Sequence, residues 1–393
     1  MVVLTAILAG AAAVLLLPTL SDLLSRAWVT MARRPAPPAP AAVPPRLLVL
    51  VPAHNEELLI ASCVRTLLAQ DYPRDRFSVV VIADNCGDRT ASIARAAGAQ
   101  CLERTDPVLR GKPRAIAWAL EQVPFRTFDA VAIVDADTIV APDFYQQVAA
   151  AAPLRAKAVQ AFFDLRNPDE GPLTRMAAVL ATATHGLSYP FKQRAGLNVP
   201  LVGNGMVFGS EVLAKLGWHA FSICEDWEMY ALLSEAGVPI ECAPEAHVYA
   251  QEARSLGQSS TQRERWTAGR LTVLGHIGPR ILASRHISAR QKLDALAELT
   301  APGPALHIGI AVVLAGAALA FDPPGAAFIV AAFALSLVRP VVYTALALTL
   351  QPSPARSLAS FAYLPVYTLW RVGTAARALR MIGDKPWVRT ERH

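Results

Sequence analysis

Cysteine is scarce in this chain, and its spacing excludes two common roles. Among 393 residues there are five cysteines, an odd number, and no two of them form a C-x-x-C pair. A disulfide framework or a structural zinc site would require paired or closely spaced ligands. All five lie between positions 63 and 242, which fits small buried thiols in a reducing cytoplasm.

Charged residues are also scarce, and the N-terminal segment has none. Residues 1–20 are apolar and long enough for about one bilayer crossing. A secretory signal peptide carries basic residues before its apolar run, whereas here Arg26, Arg33 and Arg34 follow it. The positive-inside rule then places the following segment in the cytoplasm. We predict an uncleaved anchor over residues 1–28, with a cleaved signal peptide as the alternative.

The formal net charge of +6 comes largely from arginines near apolar segments. A nucleic-acid-binding protein would be expected to carry a basic face with interleaved aromatic residues. Basic residues beside apolar segments instead contact anionic lipid. We therefore expect membrane lipid as a partner and no nucleic acid.

The composition of both ends predicts a multi-pass protein of the plasma (cell inner) membrane. Residues 29–45 are rich in Pro and Ala and predict a stiff tether. The C-terminal region, residues 276–393, predicts interfacial helices, a transmembrane part and a basic tail. Within it we expect a surface helix at 281–299, crossings at 304–321 and 326–350, and a shallowly buried segment at 358–380.

The pattern of residues 46–275 predicts a cytoplasmic α/β domain. Short apolar runs at 46–51, 77–83, 130–134 and 158–163 alternate, in the first part, with helical patterns. Runs of this kind are buried on both faces, as in a mostly parallel sheet covered by helices. Ligands of such folds bind at the carboxyl ends of the strands, and polar clusters follow three of these runs.

Carboxylates and a lysine follow the predicted strands. Asp135 and Asp137 come directly after one strand and, with a diphosphate, could hold a hard cation such as Mg²⁺ or Mn²⁺; a solvated turn is the alternative. Asp84 ends another strand and can accept a hydrogen bond from a nucleobase or a ribose. Lys112 precedes a helical pattern and could neutralise a diphosphate.

Two further motifs lie nearer the C-terminal end of the domain. In the Glu-Asp-Trp sequence at 225–227, an acid beside an aromatic in a cleft is partly desolvated, which suits Asp226 as a general base. The alternative is a helix N-terminus rich in acids. Gln262, Arg265 and Trp266 share one helical face. A guanidinium binds phosphate oxygens, and an indole stacks on a sugar ring.

Over residues 47–270 the order of these motifs resembles the membrane-bound family 2 glycosyltransferases, which include cellulose, hyaluronan and poly-N-acetylglucosamine synthases. The resemblance implies a role for each matching position. The donor would contact Pro52, Ala53, Glu56, Asp84, Lys112, Asp135 and Arg265, the metal Asp137, and the acceptor Glu225, Gln262 and Trp266, with Asp226 as the catalytic base. The tail at 387–392 also looks like a C-terminal signature of such enzymes.

The resemblance implies an inverting transferase of GT-A fold that needs Mg²⁺ or Mn²⁺ and uses a nucleotide-sugar donor, a UDP-sugar, at the cytoplasmic face. The acceptor would be a polysaccharide or a lipid. Two departures, the few apolar segments and the Asn-Gly-Met sequence at 204–206, argue against polymer export and leave a non-processive glycolipid-forming enzyme open. A nucleotidyltransferase and a catalytically silent membrane scaffold are the alternatives from other classes.

Overall fold

The computed structural model describes residues 1–31 and 43–383. Most of the predicted tether and the basic tail at 384–393 lie outside the described residues. Within them, one sheet of eight strands takes the order β3-β2-β1-β4-β7-β6-β8-β5. The strands are β1 Leu47–Ala53, β2 Phe77–Asp84, β3 Gln100–Arg104, β4 Ala130–Ile133, β5 Ile139–Val140, β6 Ala158–Leu165, β7 Met206–Gly209 and β8 Ile240–Ala250.

Four neighbouring pairs of strands are parallel and three are antiparallel. The parallel pairings join β3, β2, β1 and β4 in series and β6 with β8. The antiparallel ones are β4 with β7, β7 with β6, and β5 with β8. The predicted α/β fold is confirmed, and its all-parallel half holds the strands that the apolar runs predicted first.

Sixteen α-helices accompany the sheet in the described residues. They are α1 Val2–Met31, α2 Ile60–Leu68, α3 Thr90–Ala96, α4 Lys112–Gln122, α5 Phe144–Ala149, α6 Pro172–Ala181, α7 Tyr189–Arg194, α8 Ser210–Leu216, α9 Glu225–Glu235, α10 Leu256–Ala283, α11 Ala289–Thr300, α12 Pro304–Phe321, α13 Ala326–Ser336, α14 Val338–Thr349, α15 Pro354–Ser360 and α16 Leu364–Ala378. A π-helical segment, Thr182–Ser188, joins α6 to α7.

The sheet is buried on both faces, which explains the uninterrupted apolar runs. In β1, Leu48 and Leu50 belong to the core on one face, and Leu47 and Val49 to the core on the other. Alternate side chains of a strand point to opposite faces, so helices on both sides require every position to be apolar.

Within residues 1–31 and 43–383, three helical segments are long and apolar enough to cross a membrane: α1, α12, and α13 continued by α14. Their small and aliphatic side chains pack together, with Leu8 and Ala12 of α1 against Ala311 of α12 and Phe333 of α13. The two C-terminal segments match the crossings predicted at 304–321 and 326–350 in length and composition.

The structure differs from the prediction of a membrane-surface helix at 281–299. Helix α10 continues past the predicted domain boundary at residue 275 and ends at Ala283. Helix α11 then buries its acidic residues Asp294 and Glu298 within the protein, where they contact Lys192 at 2.5 and 3.0 Å. The acidic side chains of this helix are therefore paired inside the fold.

Candidate active site

All twelve predicted site residues line one cavity of about 1160 Å³. Its polar end lies at the carboxyl ends of β1, β2 and β4, where Ala53 and Asp84 end their strands. Because these strands are parallel neighbours, their ends meet at one edge of the sheet. The convergence that the sequence predicted is therefore present in the structure.

Asp84 is buried at this edge and already has a cationic partner. Its Oδ1 lies 2.6 Å from Nη1 of Arg104, on the adjacent strand β3, and accepts a hydrogen bond from Asn85. Arg104 also contacts Asp106 at 2.8 Å. Pro52 and Glu56 lie on the same cavity wall. Asp84 is thus held in place before any ligand arrives.

Lys112 joins two of the predicted motifs. Its Nζ lies 2.7 Å from Asp135 and 3.3 Å from Glu225, and it donates a hydrogen bond to the carbonyl of Gly203. Burial favours the neutral amine, but the two carboxylates outweigh it and raise the pKa of Lys112. The lysine therefore stays charged between the Asp135 loop and helix α9.

Asp226 lies in the first turn of α9 and is 9% exposed. Burial, together with the charge of Glu225, raises the pKa of Asp226 to about 7, against the lowering effects of the Trp227 amide and Lys112. A carboxyl group that titrates near neutral pH suits proton transfer. Gly203 has φ +81°, and a Cβ there would lie 3.2 Å from Oδ2 of Asp226, so glycine lets this loop approach the carboxylate.

The sequence interpretation missed the residues that hold the Asp135 loop. Asn204 is buried, accepts a hydrogen bond from the amide of Asp135 at 3.1 Å, and donates to Thr138 at 2.7 Å. Buried Gln160 donates to the carbonyl of Asn204. The unusual Asn-Gly-Met sequence at 204–206 was the one sequence feature that could have pointed to this support. Asn204 is a positioning residue for the Asp135 loop.

Helix α10 supplies the opposite wall with Gln262, Arg265 and Trp266. Burial lowers the pKa of Arg265, although neighbouring Cys224 and Glu225 act in the other direction. The indole of Trp266 remains 39% exposed. The helix approaches α9 closely because Gly269 faces Cys224, where a Cβ would lie 2.6 Å from the cysteine Cβ.

Several arginines outside the predicted set also line this wall. Arg263 stacks on Trp266 at 4.7 Å from the ring centre and pairs with Glu252 at 3.1 Å. Arg270 lies 4.9 Å from the ring centre of Trp227. Which side chains of α10 face the cavity depends on how the helix packs against α9, and no local sequence pattern predicts that packing.

The far end of the cavity is apolar and is formed by helix faces. Its walls come from α6, α12, α14 and α16, including the membrane-length segments. The side chains that line this end include Leu173, Met176, Leu180, Ile308, Val341, Ala345, Leu348 and Leu364. One space thus connects the acidic cluster with the apolar helices.

The residues around Asp135 fit a divalent cation only in part. Among residues 1–31 and 43–383, no group of three or more His, Cys, Asp or Glu side chains is placed to hold an ion. Asp135 and Asp137 both face the cavity, and carboxylate oxygens are ligands that Mg²⁺ and Mn²⁺ prefer. These two residues fit a cation whose remaining ligands are oxygens of a bound diphosphate.

An α/β sheet with paired carboxylates at its strand ends around a deep cavity defines a GT-A type transferase. A family model described as "Glycosyltransferase like family 2" matches residues 44–269, more than half of the chain, and the protein belongs to this family. The predictions of family and fold are confirmed.

Similar proteins share about half of their length with this chain. A probable glycosyltransferase, YdaM, of Bacillus subtilis is 24% identical over 236 residues, which cover 57% of this chain and 55% of that protein. A beta-monoglucosyldiacylglycerol synthase of Trichormus variabilis is 30% identical over 240 residues, 57% of this chain and 49% of that protein. The chain therefore spans about half the length of these curated relatives.

A solved structure resembles the fold over nearly the whole chain. The mannosyltransferase PcManGT from Pyrobaculum calidifontis, in complex with GDP-Man and Mn²⁺, superposes with a TM-score of 0.57 at 20% identity. The match covers 95% of this chain and 99% of that one. At this identity the similarity establishes the fold, including helices beyond the catalytic domain.

Proposed function

We propose that this protein is an inverting, metal-dependent glycosyltransferase that moves a sugar from a nucleoside diphosphate donor to a hydroxyl group of a membrane lipid. The observation that carries the proposal is the single cavity whose one end holds the acidic cluster and whose other end is lined by apolar helices. A water-soluble acceptor would not need the apolar end, whereas an acyl chain would fill it.

The polar end of the cavity suits the donor. Pro52, Ala53 and Glu56 would line the nucleoside pocket with Asp84, whose carboxylate is fixed by Arg104. Lys112, which contacts Asp135 at 2.7 Å, and Arg265, which also lines the cavity, would bind the diphosphate. Asp137, together with Asp135, would hold Mg²⁺ or Mn²⁺. That cation, when bound, would neutralise charge on the leaving diphosphate.

Asp226 is the proposed base. Its pKa near 7 means that a useful fraction is ionised at neutral pH, while the carboxylate is still basic enough to accept a proton. The hydroxyl oxygen of the acceptor forms a bond to the anomeric carbon, its proton passes to Asp226, and the bond to the diphosphate oxygen breaks with its electron pair. Attack opposite the leaving group inverts the anomeric configuration.

The acceptor would approach along α10, where Gln262 and Trp266 line the same cavity as Glu225. The Gln-Arg-Trp cluster is also compatible with a growing polysaccharide, which is the second candidate. The apolar end favours lipid, and the Trichormus relative is named as a glycolipid synthase. With α1, α12 and α13–α14 in the plasma membrane, the catalytic domain would face the cytoplasm.

The test is to offer radiolabelled UDP-glucose, UDP-N-acetylglucosamine and GDP-mannose with Mn²⁺ to the purified full chain in lipid vesicles. We expect one donor to give label that organic solvent extracts, with release of nucleoside diphosphate. Label retained as a polymer that does not enter organic solvent would support the polysaccharide candidate instead. Release of pyrophosphate would indicate a nucleotidyltransferase, and no donor turnover at all would contradict transferase function.

A further inference from the structure

Three arginines of helices α10 and α16 line the cavity, and Arg371 among them is buried. Arg263 and Arg270 come from α10, and Arg371 comes from α16. Leu364, Tyr367 and Arg371 all line the cavity, at spacings that place them on one face of α16. That face changes from aliphatic to aromatic to cationic along the helix, as a lipid changes from chain to headgroup.

Helix α16 is held firmly against its neighbours. The indole Nε1 of Trp370 donates to Oγ of Ser260 on α10 at 3.1 Å. On its other side α12 lies so close that a Cβ on Gly309 would be 2.3 Å from a Thr368 methyl carbon. The position of Arg371 is therefore set by packing and not by a mobile terminus.

The three arginines differ in how far protein groups satisfy them. Arg263 is paired with Glu252. Arg270 stacks on Trp227 and donates to the carbonyl of Ala301, at the end of α11. Arg371 is 8% exposed and donates to the hydroxyl of Thr374, one turn along its own helix, at 2.9 Å.

Neither Arg270 nor Arg371 has a carboxylate within ion-pair distance in the described part of the chain. Burial, reinforced by the charges of Arg263 and Arg270, lowers the pKa of Arg371 to about 10 despite the opposing effect of Tyr367. The guanidinium is still charged at neutral pH. A buried charge without an ion-pair partner, such as that of Arg371, is costly, and an anion entering the cavity would relieve that cost.

We propose that Arg371, together with Arg270, binds the phosphodiester of the lipid acceptor, so that the acceptor is a phospholipid whose headgroup carries an alcohol. The inference rests on the proposed function and narrows its acceptor class. The apolar helices accept the acyl chains, the arginines take the phosphate, and Asp226 requires a hydroxyl. A phosphatidylglycerol-like or phosphatidylinositol-like lipid meets all three requirements, whereas diacylglycerol lacks the phosphate and phosphatidate lacks the alcohol.

The transfer balances without any further reactant. The O–H bond of the headgroup alcohol and the bond between the anomeric carbon and the diphosphate oxygen break. A glycosidic C–O bond forms, the proton goes to the Asp226 carboxylate, and the electron pair leaves with the nucleoside diphosphate. The phosphodiester remains intact and serves only for binding.

The experiment compares acceptors that differ in one group at a time. The full chain is placed in phosphatidylcholine vesicles containing dioleoylphosphatidylglycerol, dioleoylglycerol or dioleoylphosphatidate, and glycerol 3-phosphate is supplied in solution as the lipid-free phosphate alcohol. The three nucleotide sugars named above serve as donors. Donor hydrolysis without acceptor is recorded in parallel, because it reports on the transferase itself.

We expect phosphatidylglycerol to be glycosylated with a KM at least about tenfold below that of dioleoylglycerol, in line with charge-assisted hydrogen bonds. Arg371→Gln should raise the KM for phosphatidylglycerol about tenfold, leave that for dioleoylglycerol within about twofold, and leave donor hydrolysis unchanged. Arg371→Lys should restore part of the affinity. The control is Arg377→Gln, which removes a more exposed cation of the same helix, paired with Glu264.

Equal KM values of the wild type for dioleoylglycerol and phosphatidylglycerol would overturn the phosphate site. This comparison needs no variant, so it does not depend on whether a variant folds. Use of glycerol 3-phosphate as good as that of phosphatidylglycerol would overturn the lipid assignment. If no donor is hydrolysed or transferred, the result contradicts the proposed transferase function itself, and this inference falls with it. Donor hydrolysis without label in any lipid would overturn this inference alone.

Discussion

Among the described residues, two lysines each contact a pair of carboxylates, and one of them, Lys112, lines the cavity. Lys112 contacts Asp135 and Glu225 at 2.7 and 3.3 Å, and 22% of its side chain is exposed. Lys192 contacts two carboxylates of α11 at 2.5 and 3.0 Å, and 1% of its side chain is exposed. The first lysine can exchange a carboxylate for a ligand anion, whereas the second has no room for another partner.

We call Lys112, Asp135, Glu225 and Asp226 the open cluster, and Lys192 with Asp294 and Glu298 the enclosed cluster. The enclosed cluster connects the catalytic domain with two apolar helices. Glu298 of α11 also accepts from Arg339 of α14 at 2.6 Å, and Arg339 in turn contacts Asp22 of α1 at 3.1 Å. Lys192, on α7, thus belongs to a chain of charges that reaches both N-terminal and C-terminal membrane-length segments. Access to the cavity, and not the type of residue, separates the proposed diphosphate-binding lysine from a structural one.

Of the substitutions considered, one in the open cluster should have the largest effect, and that effect is a loss of turnover. Asp226→Asn should lower kcat about a thousandfold, because the acceptor proton loses its acceptor, while donor binding is largely kept. The folded protein should be as stable as the wild type or more so, since a buried charge is removed. Radiolabel transfer and thermal unfolding in detergent measure the two quantities. The matched change Glu228→Gln, in the same turn of α9, should leave turnover near the wild-type value. Strong loss of donor binding in Asp226→Asn would contradict the assigned role.

The next largest effect is expected from a substitution in the enclosed cluster, and it is a loss of stability. Lys192→Met should reduce the free energy of unfolding by about 3–5 kcal/mol, because two buried carboxylates lose a cationic partner. Thermal unfolding of the purified protein measures the loss, with Lys215→Met on the exposed side of α8 as the control. An unchanged unfolding temperature for Lys192→Met would mean that Arg339 alone neutralises this cluster.

The open cluster could be predicted from sequence because it follows from strand ends. Asp84 and Asp135 each follow a buried apolar run, and parallel neighbouring strands bring such positions together. Motif order added Asp226 and Trp266. The remaining support of the site was not predictable in this way, since Asn204 contacts the amide of Asp135 across 69 positions of sequence.

The enclosed cluster gave no usable sequence signal. Lys192 lies in a short polar segment typical of a solvated surface, and helix α11 shows a basic and apolar alternation that predicted contact with lipid. Which charges meet depends on the packing of α1, α7, α11 and α14, elements far apart in sequence. For the same reason Arg371 is predicted only as part of the shallowly buried segment at 358–380 and not as a cavity residue.

A smaller effect is expected when the open lysine is removed. Lys112→Met should raise the KM for the nucleotide sugar about tenfold to a hundredfold, because one charge-assisted contact to the diphosphate is lost. Its effect on stability should stay below about 1 kcal/mol, since Asp135 and Glu225 face the cavity and can be hydrated. Donor titration and thermal unfolding test both parts. A stability loss as large as that of Lys192→Met would remove the distinction between the two clusters.

The smallest effect is a difference in pH dependence. Burial raises the pKa of Asp226 from 3.8 to about 7, so its folded form binds a proton more tightly and its contribution to stability falls as pH rises from about 4 to 7. In Glu298, Arg339 and Lys192 overcome burial and lower the pKa from 4.5 to about 2, so that stability is lost only as pH falls through this range.

These opposite signs can be measured in one series. Between pH 6 and 8 we expect kcat to rise about tenfold as Asp226 ionises, while the stability of the wild type falls relative to Asp226→Asn. Below pH 4.5 the wild type should lose stability that Glu298→Gln does not lose. Denaturant unfolding and turnover from pH 3 to 8 provide both curves. A kcat that does not change between pH 6 and 8 would place the titrating base elsewhere, and parallel stability curves for wild type and Asp226→Asn would show that this carboxyl is not perturbed by burial.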